Sequence, residues 1–260
     1  MRLRTHAVAA GSGVRLLTLR SRVRDRRRGL NEADRIARAY QDLEGRAGGR
    51  WDLANRGNQA ILAERRKFTR RLLADAGFLP LGARRVLEVG SGLGAELAWL
   101  RELGAASSNL VGVDLLADRV EAARRTFPEI EFRQANAEHL DFAAAEFDLV
   151  LAITIFSSIL DPRMAAGVAR EMVRVLKPGG ALLWYDVRYD SVSNRNVRAV
   201  TAARVRGLFP SLQGELASVT LLPPLARRLG ALTGGVYPVL SWFRPLRSHL
   251  IGLLRQPEGA

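Results

Sequence analysis

Residues 86–94 read Val-Leu-Glu-Val-Gly-Ser-Gly-Leu-Gly, and no other stretch constrains the fold of this chain as strongly. Residues 86–89 predict a short buried strand. Gly90, Gly92 and Gly94 follow at once, and a helix is expected over 95–103. Such a loop needs backbone angles that a Cβ forbids, and it lets a ligand approach bare backbone. Strand, glycine loop and helix in that order open a doubly wound α/β domain. Asp114 ends the next expected strand, 110–114, and stands 20 positions after Gly94. An acid at that place accepts hydrogen bonds from ribose hydroxyls.

The same alternation continues along the chain. Further strands are expected over 131–134, 147–153 and 181–186, with helices over 118–126 and 163–176 between them. Residues 147–153 are apolar on both faces, as a central parallel strand requires. A helix over 198–209 and strands over 217–222 and 249–254 complete the sheet. Upstream, residues 31–77 place Ala33, Ile36, Ala37 and Tyr40, then Ile61, Leu62, Phe68, Leu72 and Leu73, at helical spacing. They are expected to form a helical cap, within a region 30–80, leading into the main domain.

The glycine loop alone leaves the cofactor open. Gly90-x-Gly92-x-x-Ala95 also satisfies the dinucleotide pattern, so a nicotinamide and another adenosine cofactor fit it equally. Three further segments decide between them. Glu88 stands two residues before the first glycine, Ala135-Asn136-Ala137-Glu138 follows the third strand, and Leu176-Lys177-Pro178-Gly179-Gly180 precedes the fifth.

In this order the segments resemble the class I S-adenosylmethionine-dependent methyltransferases, in particular the group similar to ubiquinone and menaquinone C-methyltransferases. The resemblance covers roughly residues 55–190. It implies a seven-stranded, doubly wound Rossmann-like sheet whose last strand is antiparallel, with S-adenosylmethionine over the ends of the first two strands. It also implies that Glu88, Gly90, Ser91, Gly92 and Gly94 line the methionine and ribose, and that Asp114 holds the ribose hydroxyls. Leu115, Asn136 and Ala137 would meet the adenine, and Ala152 would lie near the sulfonium. The N-terminal Tyr40, Arg50, Trp51 and Asn58 are expected to fold over the cofactor, as the equivalent cap does in relatives.

The acceptor side is less constrained. Many relatives carry a His pair where this chain has Ser157 and Ser158, and the Asn/Asp-Pro-Pro-Tyr/Phe signature of amino-group methylation is absent after the fourth strand. Asp186 and Tyr185, at the end of the fifth strand, are candidates to orient or deprotonate a hydroxyl. His249, at the start of the last strand, is the preferred candidate base. His139 is expected to be exposed. Residues 223–247 form an insertion of about one helix and a loop, expected to act as a lid over a bulky or greasy acceptor. Short segments at 154–161, 183–186 and 246–250 resemble bacterial natural-product and surface-glycan methyltransferases. That likeness implies methylation of a hydroxyl on a sugar or secondary metabolite; C-methylation of a lipid quinone and methylation of RNA are the alternatives.

Charge bears on the last of these. The chain carries +14, distributed as +12 over residues 1–71, −5 over 72–190 and +7 over 191–260. The segment with the cofactor signals is therefore mildly acidic. Lys67 and Lys177 are the only lysines, so the basic excess is an arginine bias, read as a solvated periphery rather than a nucleic-acid footprint. Residues 1–29 hold nine arginines against Asp25 and are expected to stand outside the fold, as a disordered arm, a transit peptide or an over-extended start. The chain has no cysteine, and His6, His139 and His249 show no metal-ligand spacing, so no metal is expected. A cytoplasmic enzyme acting on a small molecule, without a membrane span, is the resulting expectation.

Overall fold

The computed structural model describes residues 31–46, 52–191 and 194–258. Residues 1–29, His6, Arg50 and Trp51 lie outside the described residues.

Two cap helices lead in: α1 (Glu32–Arg46) and α2 (Arg56–Asp75). Asn55 caps α2, its side chain accepting from the amides of Gly57 and Asn58. The sheet then alternates with helices: β1 (Val86–Val89), α3 (Ala95–Leu100), β2 (Leu110–Asp114), α4 (Ala117–Thr126), β3 (Glu131–Gln134), β4 (Phe147–Ile153), α5 (Pro162–Val175) and β5 (Leu176–Val187). Then come α6 (Ala202–Leu208), β6 (Leu216–Leu221), α7 (Pro223–Arg228), α8 (Thr233–Trp242) and β7 (Arg247–Arg255). The seven strands run in the order β3-β2-β1-β4-β5-β7-β6. β7 is antiparallel to both β5 and β6, and the pairs among β1 to β5 are parallel.

Alternating side chains of the strands feed two cores. Leu87, Val89, Val111, Val113, Val150 and Trp184 face α1, α5 and α6, where Ile36, Val168, Met172 and Val205 meet them. Val86, Leu110, Leu149, Leu151 and Leu183 face α2, α3 and α4, against Leu73, Leu97 and Val120. The cap thus straddles the sheet, one helix on each side. α5 shows the sequence logic most plainly. Asp161 caps it by accepting from the Arg163 amide at 2.8 Å, Pro162 sits in the first turn, and Met164, Val168, Met172 and Val175 recur at helical spacing on the buried face.

Three expectations change. The helix expected over 198–209 begins only at Ala202. Before it, the Arg198 amide donates to the Ser157 carbonyl at 2.9 Å and the Val200 amide to the Val187 carbonyl at 2.8 Å, which commits that backbone to other strands' loops. The insertion holds two helices, α7 and α8, rather than one. β5 starts at Leu176, five residues early, because Leu176 already pairs with Phe147 before a register shift. Among the described residues no helix is long and apolar enough to cross a membrane.

Candidate functional site

The order of strands reverses between β1 and β4, and in open α/β sheets ligands bind beyond the carboxyl ends of the strands at such a point. A cavity of about 340 Å³ lies there. Its floor is Glu88 to Leu93, with Val113 to Leu116 from β2 and Ala135 to Ala137 from the turn after β3. Thr154, Ile155 and Ser158 close the β4 side, and Ile36, Tyr40 and Arg65 of the cap close the rest.

The glycine loop is fixed by its neighbour strand. The amides of Gly90 and Ser91 both donate to the Val113 carbonyl, at 2.8 and 3.0 Å. Gly90 and Gly92 have φ of 74° and 53°, in the left-handed region. Asp114 completes the clamp, its two carboxylate oxygens accepting from the amides of Gly92 at 2.8 Å and Leu116 at 2.9 Å. The Asp114 carbonyl accepts from the Ala135 amide at 2.9 Å, which sets the turn after β3. In that turn the Asn136 side chain accepts from the Glu138 amide and donates to its carboxylate, both at 3.1 Å.

Beneath the loop the electrostatics are unusual. Glu88 is buried, and its Oε2 has no hydrogen-bond partner. Burial, with the Glu96 carboxylate second, pushes the Glu88 carboxyl well above the usual carboxylate range, while Arg65 pulls it down. Arg65 pairs with Glu96 and lies over the Tyr185 ring at 5.3 Å. Two buried carboxyls therefore share one guanidinium at the edge of the cavity.

The cap is clasped over the opposite side. Glu32 and Arg35 pair with each other. Glu32 Oε1 accepts from the amides of Leu160 at 2.6 Å and Asp161 at 3.2 Å, and Arg35 donates to the Ser158 carbonyl and to Asn196 Oδ1. Tyr40 and Ser158 hydroxyls lie 3.0 Å apart, and the Arg119 guanidinium sits 4.4 Å above the Tyr40 ring. Thr154, exposed at the end of β4, has φ of 54°, a conformation rare for a β-branched residue. Strain of that kind gathers at functional sites.

Of the ten expected cofactor residues, the structure gathers Glu88, Gly90, Ser91, Gly92, Asp114, Leu115, Asn136 and Ala137 around the cavity. Gly94 and Ala152 stand just outside its lining. Gly94 starts α3, and Ala152 sits inside β4 between Val89 and Trp184. Ile36, Arg65, Arg119, Thr154 and Met164 also line the cavity without having been expected as cofactor or catalytic residues, because each arrives by packing between elements rather than within the cofactor motifs.

The three candidate catalytic residues are not brought to this cavity. Asp186 is fully buried and accepts from the amides of Ser157 at 3.0 Å and Val187 at 2.8 Å, so it ties the loop after β4 to the end of β5. Tyr185 bonds the Thr220 hydroxyl at 2.9 Å and stacks on His249 at 4.6 Å. His249 Nδ1 lies 2.8 Å from the Ser248 hydroxyl, within a strand paired on both edges. Burial, and then the charge of Arg65, push the His249 imidazole down to about 3. Burial raises Asp186 to about 6 and Tyr185 to about 12.

A stability experiment follows from these shifts. Native His249 refuses a proton that the unfolded chain takes up near its usual value of 6.5. Its contribution is therefore complete above pH 6.5 and is lost as pH falls toward 3. Asp186 acts oppositely: its contribution is present below pH 3.8 and lost as pH rises through about 6. Urea denaturation of His249→Phe beside wild type should show the gap moving in the variant's favour by about 2 kcal/mol from pH 6.5 to 5. A gap that does not change with pH would show that His249 titrates normally.

Similarity to known proteins agrees with this geometry. Residues 86–180 match a family described as a methyltransferase domain. The chain is 30% identical over 177 residues to a malonyl-(acyl-carrier protein) O-methyltransferase of Enterobacter lignolyticus, covering 61% of this chain and 67% of that one. It is 29% identical over 188 residues to an uncharacterized 37.1 kDa protein in a transposon of Streptomyces fradiae, and there it spans only about half of the relative, 51%, against 67% of itself. An S-adenosylmethionine-dependent methyltransferase structure from Mesorhizobium loti superposes with a TM-score of 0.53 at 17% identity, over 70% of this chain and 95% of that one. With strand order and sequence relationship in agreement, the chain belongs to the class I S-adenosylmethionine-dependent methyltransferases.

Proposed function

We propose that this chain transfers a methyl group from S-adenosylmethionine to an oxygen of a small-molecule acceptor, a hydroxyl of a sugar or secondary metabolite. The observation that carries the reading is the unpartnered carboxylate oxygen of Glu88 beneath a glycine loop clamped by Asp114. The residues fit the cofactor. Glu88 offers a buried acceptor to the cationic amino group of the methionine end, and Arg65 offers the opposite charge to its carboxylate. Each oxygen of Asp114 keeps a lone pair for the ribose hydroxyls. Leu115, Asn136 and Ala137 form the adenine side.

Bound there, S-adenosylmethionine supplies a methyl group made electrophilic by its sulfonium. The chain's part is to hold an acceptor oxygen in line and to keep water out. Ile36, Ile155, Met164 and Val168 make the apolar wall, and the Tyr40 and Ser158 hydroxyls supply polar contacts at its edge. Since Asp186, Tyr185 and His249 lie elsewhere, positioning carries the rate more than proton transfer does. Transfer to oxygen is supported by the Enterobacter relative, whose name is that of an O-methyltransferase.

Calorimetric titration with S-adenosylhomocysteine tests the cofactor half. Binding is expected, and Glu88→Gln should weaken it roughly 10- to 100-fold, the loss of one charge-assisted hydrogen bond. Incubation with methyl-labelled cofactor and a panel of hydroxylated acceptors, with the methylated atom located by NMR, tests the other half. No binding by the folded chain, or label found on carbon or nitrogen, would overturn the proposal.

A further inference from the structure

From Leu229 to Phe243 the chain carries no charged residue, and between Glu215 and Glu258 it holds five arginines and no acid. α8 occupies most of the uncharged run. Tyr237 and Thr233 turn inward, Tyr237 donating to Glu64 Oε2 at 2.8 Å. The outward face is apolar: Leu232 is 67% exposed, Val239 63%, Trp242 79% and Phe243 57%. Val239 and Trp242, three residues apart, share the outer face of the helix, and Leu232 and Phe243 flank its two ends. Arg228 stands exposed before this face and Arg244 after it. Arg247 fixes the far end, donating to the carbonyls of Ser241 at 2.6 Å and Trp242 at 3.3 Å, and with Trp242, Phe243 and Arg244 it lines a shallow groove.

We propose that this face docks the protein on the surface of a bilayer rich in anionic lipid. An apolar strip with an aromatic tip, bordered by arginines, matches the boundary between acyl chains and phosphate headgroups, where tryptophan settles and guanidinium groups reach outward. The helix, at ten residues, lies in the plane of that boundary rather than crossing it. A second copy is the poorer occupant. A two-fold contact would bring the arginine-rich borders together, with no acid in the segment to answer them. A nucleic acid would leave the apolar tip unsatisfied.

The test is co-sedimentation of the full chain with vesicles of equal parts phosphatidylglycerol and phosphatidylcholine, beside vesicles of phosphatidylcholine alone. Binding to the anionic vesicles should exceed binding to the neutral ones at least tenfold and fall with added salt. Trp242→Ser with Phe243→Ser should reduce it at least tenfold, with unchanged thermal midpoint and S-adenosylhomocysteine affinity. If that pair disturbs folding, brominated phosphatidylcholine in the anionic vesicles should quench wild-type tryptophan fluorescence but not that of Trp242→Phe. Failure to bind, binding unchanged in the double variant (which would move the attraction to arginines elsewhere in the chain), or a wild-type dimer abolished by the same substitutions would each overturn the proposal.

Discussion

Asp114→Ala should weaken S-adenosylhomocysteine binding by two orders of magnitude or more, with a smaller effect on folding. The carboxylate does two jobs. It holds the Gly92 and Leu116 amides at 2.8 and 2.9 Å, and, lining the cavity, it is the acceptor proposed for the ribose hydroxyls. Hydrogen bonds to a charged group contribute about 1.5–3 kcal/mol each. Losing two to the ribose, while the loop beneath the ligand slackens, corresponds to at least a hundredfold. Asp114→Asn should fall between, since an amide keeps one acceptor oxygen but sets a donor where the second stood. Calorimetry decides: a loss of less than about fivefold in the alanine variant would remove Asp114 from the binding site.

Gly94→Ala is expected to destabilise the fold by about 2–5 kcal/mol. Two costs add here. Gly94 has φ of 80°, where a Cβ costs about 1–2 kcal/mol. The added Cβ would also stand 2.4 Å from Cζ and 2.8 Å from Cε1 of Phe132, a core ring only 2% exposed, and overpacking of that kind costs about 1–3 kcal/mol. Gly92→Ala separates the two terms, because its φ is also positive, at 53°, but nothing lies within 4 Å of its Cβ position. Its denaturation midpoint should move much less. Adding Phe132→Leu to Gly94→Ala should restore part of the loss, the packing part; equal midpoints for Gly92→Ala and Gly94→Ala would refute this account.

The strands and the glycine loop were legible because both are local. Strand residues alternate or run apolar, and a loop that must admit a ligand writes its glycines at fixed spacing. β1 to β4 accordingly lie where the sequence puts them. Gly94 shows the limit even there, since the pattern cannot distinguish a glycine beneath a ligand from one beneath Phe132. The acceptor side was far less legible. Asp186 and His249 are polar residues near strand ends, but whether such a group faces a cavity or a neighbouring amide depends on the loop opposite. Ser157 takes up Asp186, and the stacked Tyr185 covers His249. The second helix of the insertion is hidden in the sequence for a related reason. Gly234, Gly235 and Pro238 weaken the local helix signal, and α8 forms because Tyr237 and Leu240 find partners on α2 and β6.

The clasp of α1 sets a time scale as well as a wall. Glu32 holds the first amides before α5 while Arg35 holds the carbonyl of Ser158, so α1 and the loop after β4 are joined by several polar contacts spread over one helical turn. Ile36 and Tyr40, on the same helix, wall the cavity. Spent cofactor leaving past this wall requires those contacts to part together, and the dissociation rate then carries the cost of opening as well as the cost of unbinding. On the proposed function, Glu32→Ala should therefore release S-adenosylhomocysteine faster than wild type, a rate that stopped-flow displacement reads.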